Sequence, residues 1–78
     1  MKIGVRVMPR KDVLDSQGRA VERIISQMGM KISNCTVGKY IVLDLDFKNA
    51  DEAMNEARKI ADEVLHNPLI ESYELEKI

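Results

Sequence analysis

Ten residues constrain the fold more than any others: Gly38-Lys39-Tyr40-Ile41-Val42-Leu43-Asp44-Leu45-Asp46-Phe47. Successive side chains of a strand point to opposite sides. Ile41, Leu43, Leu45 and Phe47 therefore share one face, and Tyr40, Val42, Asp44 and Asp46 share the other. The first face is wholly apolar. The second turns from apolar to acidic, as in an antiparallel sheet with one side toward solvent. The rest of the chain is expected to pack on this strand or pair beside it.

Lys2 to Met8 alternates in the same way, with Ile3, Val5 and Val7 on the apolar side. Pro9 closes that strand because it has no N–H to donate. Asp15 is suited to cap a helix, accepting from the free N–H groups of its first turn. Val21, Ile24, Ile25 and Met28 follow at the spacing of one helical face. Gly29 stops the helix. Residues 32–37 are extended but weakly patterned. They join the next strand either through a hairpin turn at Gly38-Lys39 or as one long strand, 33–47, bent at Gly38. The long strand is preferred, because 33–37 has little apolar surface to bury within its own chain. Asn49 and Glu52 then form a capping-box pattern. Ala50, Ala53, Met54, Ala57, Ile60, Ala61, Val64 and Leu65 repeat at helical spacing, and Asn67-Pro68 ends the helix. Residues 69–78 form a last strand, with Tyr73 and Leu75 on one face, at a sheet edge guarded by charge. The expectation is one α+β domain over 1–78, a small ferredoxin-like sandwich of order β-α-β(β)-α-β. Its two helices would lie on one face of an antiparallel or mixed sheet.

Composition limits the function. Twelve basic and thirteen acidic residues leave a net charge of −1, which gives no electrostatic pull toward nucleic acid or an anionic membrane. Tyr40, Phe47 and Tyr73 are the only aromatics, too few for a basic, aromatic RNA platform. No apolar run reaches the length of a membrane span, and the first residues lack the apolar block of a signal peptide. A cytoplasmic protein is expected. With one cysteine and one histidine, neither a disulfide nor a four-ligand zinc site can staple so small a core. Good packing or oligomerisation is left as the stabilising device, and oligomerisation is preferred.

No group of residues reads as an active site. His66 falls at a helix C-terminus, where it reads as a cap. Cys35 has no basic neighbour in sequence to activate it and reads as a packed or interface thiol. Asp44 and Asp46 share a strand face; the pair could approach Mg²⁺ but lacks a third ligand, and reads as a solvated face. Lys39-Tyr40 is equally a contact for a phosphate or partner acid, or a plain strand end. Gln17-Gly18-Arg19 opens a helix, where anions can bind, but carries no phosphate-loop pattern.

Three segments together resemble a known family. They are Val13-Leu14-Asp15-Ser16-Gln17-Gly18-Arg19-Ala20-Val21, Val37-Gly38-Lys39-Tyr40-Ile41 and Asn67-Pro68-Leu69-Ile70-Glu71-Ser72-Tyr73. The chain resembles PurS, the small subunit of phosphoribosylformylglycinamidine synthase. It departs from the family pattern at Ser16, where proline is usual, and at Cys35-Thr36, where a valine and a basic residue are common. The resemblance implies a subunit without catalytic, cofactor or metal residues of its own. It would form homodimers or homotetramers, help a large synthetase subunit (PurL type) and a glutaminase subunit (PurQ type) associate, and aid ammonia transfer between them. ATP, Mg²⁺ and glutamine would be used by that complex. Cys35, Val37, Gly38, Lys39, Tyr40 and Tyr73 are the candidate assembly residues. By fold analogy alone, a regulatory domain binding a small molecule is the competing expectation.

Overall fold

A computed structural model describes residues 1–78. It contains strand β1 (Lys2–Pro9), helix α1 (Ser16–Gln27), strand β2 (Lys39–Asp44), helix α2 (Ala50–Ile60) running into a π-helical turn (Ala61–Leu65), and strand β3 (Glu71–Lys77). Both strand pairs are antiparallel and the sheet order is β2-β1-β3. The middle strand is thus β1, and the stretch 38–47 supplies an edge. Alternation shows that one face of a strand is buried. It does not show whether the strand has one hydrogen-bonded neighbour or two.

The core lies between the sheet and α2. Ile3, Val5 and Val7 project from β1 and are sealed from solvent, as are Ala53, Ala57 and Ala61. The three alanines recur every fourth residue, so they stack along one helix face. Having no side chain beyond Cβ, they let the helix axis approach the sheet. Leu43, Leu45, Phe47 and Leu75 close around Ile3, while Ile41, Leu65 and Tyr73 close around Val5 and Val7. Each sealed β1 side chain contributes roughly 1.5–3 kcal/mol by burial. Asn49 caps α2 through its Oδ1, which accepts from the Asp51 N–H at 2.8 Å.

Two expectations fail here. First, the long bent strand 33–47 does not form. Residues 30–38 carry no regular structure, and β2 begins at Lys39. The hairpin does not form either. A two-residue turn with Gly38 first would need a positive φ, and Gly29 is the only residue with one, at 84°. Gly38 is needed for space, because a Cβ there would overlap the Met8 sulfur and the Val7 carbonyl. Second, the two helices do not share the sheet. Only α2 covers it. In α1, Val21, Ile24 and Met28 are 36%, 57% and 67% exposed, and Gly18 is the one buried residue. The molecule measures 49 × 25 × 15 Å.

Candidate assembly site

The candidate residues begin where α1 meets the segment before β2. Asp15 caps α1, its Oδ1 accepting from the Gly18 N–H at 2.9 Å. Its second oxygen, Oδ2, accepts from the Val37 N–H at 2.9 Å. Those two backbone donors, Gly18 first, hold the Asp15 carboxyl below the usual carboxylate range. One turn on, Arg19 Nη2 donates to Asn34 Oδ1 at 2.7 Å and to the Cys35 carbonyl at 2.9 Å. Glu22 pairs with the Arg19 Nε. Gly18 sits so close beneath the Cys35 carbonyl that a Cβ would overlap it. Cys35 and Val37 are half-buried by these contacts, while Gly38, Lys39 and Tyr40 are exposed. Two shallow grooves of about 270 and 530 Å³ flank the junction, and Asp15, Leu14 and Pro9 line both.

Beyond Gly38 the candidates diverge. Lys39 reaches across β1 to Glu71, at 3.6 Å. Tyr40 lies on the opposite, helix-free face of the sheet. It extends over Gly4, where a Cβ would overlap its hydroxyl. A hydrogen bond to Glu76, and then burial, push the Tyr40 phenol up from its ordinary value. Arg6 lies 6.0 Å over the Tyr40 ring, at the outer limit of a cation–π contact, and pairs with Glu76 at 2.8 Å and Glu74 at 3.5 Å. These pairs are exposed and worth at most about 1 kcal/mol. They join side chains of the three strands on the open face.

Tyr73 does not join this group. Opposite Val7 in the register, it faces α2 and packs in the core. Its hydroxyl donates to Asp62 Oδ1 at 2.8 Å, and its ring meets His66 edge-on at 4.8 Å. Burial first, then Asp62, push its pKa up. His66 Nδ1 lies 2.7 Å from the Ala61 carbonyl, the helix-end role expected of it. Asp44 and Asp46 are both exposed.

The structure therefore brings Cys35, Val37, Gly38 and Lys39 into one strip, turns Tyr40 to the open face and places Tyr73 in the core. Sequence reasoning missed Arg19 and the second half of Asp15. The available signal was a charge pair bracketing Gly18, Asp15 three residues before it and Arg19 one after, within a segment already singled out.

Comparison with known proteins matches this architecture to one family. A family model described as PurS, phosphoribosylformylglycinamidine (FGAM) synthase, matches residues 2–78. The curated phosphoribosylformylglycinamidine synthase subunit PurS of Thermotoga maritima is 30% identical over 78 residues, covering 99% of this chain and 95% of that protein. The crystal structure of the T. maritima purS subunit superposes with a TM-score of 0.92 at 29% identity, covering 99% of this chain and 90% of that one. A chain in the structure of PurLQS from T. maritima superposes with a TM-score of 0.91 at 29% identity, covering 99% and 95%. The chain belongs to the PurS family, the small subunit of the phosphoribosylformylglycinamidine synthase of purine biosynthesis.

Proposed function

We propose that this chain acts as a non-catalytic assembly subunit. It associates with itself, as a dimer or tetramer, and with a PurL-type synthetase and a PurQ-type glutaminase. The PurLQS structure, in which a chain of the same fold occurs, supports the second part. The observation that carries the first is the unpartnered stripe of α1. Val21, Ile24 and Met28 stand exposed on a helix that its own sheet does not cover, and Met30 and Ile32, next beyond it in sequence, are exposed as well. Only 8 of 78 residues are buried, so the isolated chain forgoes much of the burial that stabilises a domain. Covering α1 supplies it. The complex, not this chain, uses ATP, Mg²⁺ and glutamine, and it works in the cytoplasm.

The test is reconstitution. The chain is mixed with the synthetase and glutaminase subunits of the same source, ATP, Mg²⁺, glutamine and formylglycinamide ribonucleotide, and ADP release is followed. Glutamine-dependent turnover is expected only when all three proteins are present. Unchanged turnover without this chain overturns the assembly role.

A further inference from the structure

We infer that Asp15 and Arg19 are positioning residues: they clamp residues 34–37 onto the first turn of α1 and so set the path by which Gly38, Lys39 and Tyr40 reach the sheet edge. The functional half of this inference rests on the assembly reading above. The clamp itself rests on geometry alone.

Capping α1 requires one oxygen of Asp15, and Oδ1 provides it by accepting from Gly18. The second oxygen is spent on Val37, 22 residues away. Only a carboxylate offers two acceptor oxygens at this position. An asparagine offers one, with a donor in place of the other. Arg19 adds two bonds from a single guanidinium nitrogen, one to the Asn34 side chain and one to the Cys35 backbone. Its pairing with Glu22 holds that guanidinium in place. Gly18 completes the arrangement, since any larger residue would push the Cys35 carbonyl away. Residues 31–38 have no regular structure, and outside the sheet their hydrogen bonds to the rest of the chain are the three made by Asp15 and Arg19. A segment tied by so few contacts would otherwise sample many paths, at a large entropic cost to fix. The motif Asp15-x-x-Gly18-Arg19 thus acts on a strip it is far from in sequence.

The experiment uses the full chain, unchanged or carrying Asp15→Asn, Arg19→Ala or Arg19→Lys. Two properties are measured: amide hydrogen exchange at Gly18 and Val37, and association with itself and with the synthetase and glutaminase subunits. Asp15→Asn retains a good cap, so Gly18 is expected to stay protected while Val37 exchanges about tenfold faster, the loss of one hydrogen bond. Association is expected to weaken at least about fivefold at an unfolding midpoint within a few degrees of the parent, a separation that a merely structural residue would not give. Arg19→Ala is expected to loosen the same segment, and Arg19→Lys to recover only part of the protection, because Lys lacks the planar fork. Unchanged Val37 exchange in both Asp15→Asn and Arg19→Ala overturns the clamp. Faster exchange with undiminished association overturns the positioning role and leaves the assembly reading intact. An unmodified chain that binds neither itself nor the other subunits overturns the assembly reading, and the positioning role with it, even where exchange still registers the clamp.

Discussion

Gly4 and Gly38 both sit under a close neighbour, but the neighbours differ in how easily they move. Above Gly4 it is the end of the Tyr40 side chain; above Gly38 it includes the Val7 carbonyl, part of the middle strand. Gly4→Ala is therefore expected to cost about 1 kcal/mol or less, as Tyr40 swings aside. Gly38→Ala is expected to cost about 2–3 kcal/mol, the upper range of overpacking, because backbone must shift. Urea unfolding of the two variants checks the order. Asp15 makes a prediction about pH. Its folded-state pKa lies below its unfolded value, so its contribution is present above the ordinary carboxylate pKa of about 3.9 and is lost as pH falls through the lower folded value. Asp15→Asn removes that titration. The stability of the variant is expected to fall less steeply on the acid side, read as unfolding midpoints from neutral pH downward. The cap was legible from an Asp placed before a helical pattern. Its long-range bond was not, because nothing local in sequence links residue 15 to residue 37.

Among the elements, α2 was the most legible and α1 the least. Alanines at fourth-residue spacing, started by Asn49 and stopped by Asn67-Pro68, define both the helix and its buried face. That face is filled. Ala57→Leu is expected to destabilise the chain by about 2–3 kcal/mol in denaturant unfolding, since β1 lies directly against it. The widening of the helix into a π turn at Ala61–Leu65 was not legible, because it depends on where Ala61, Leu65 and His66 find partners. For α1, the same spacing rule found an apolar stripe and assigned it to the sheet. An amphipathic pattern states that a face is to be covered, and leaves open what covers it.

At the scale of the whole molecule, that open face carries a prediction. Ile24→Asp replaces a side chain 57% exposed. It is expected to leave the stability of the isolated chain within about 0.5 kcal/mol, as surface changes do, while lowering the sedimentation coefficient to that of a monomer. An unaltered oligomer would show that α1 is covered in some other way.

By itself the sequence determined the features set by local periodicity and local chemistry: a strand near each end, an alternating stretch after Gly38, two helices with their caps and stops, and which face of each is apolar; it left open whether 33–37 was a further strand. These are properties of residues within a few positions of one another. Three family segments, taken together, also pointed to the role. The tertiary structure alone decided that β1 and not β2 is central, that 34–37 is held by α1 instead of extending a strand, and that Tyr40 and Tyr73 face opposite sides of the sheet. Each is a choice among partners distant in sequence. It is settled by which contacts can form at once in space, and periodicity carries no record of that.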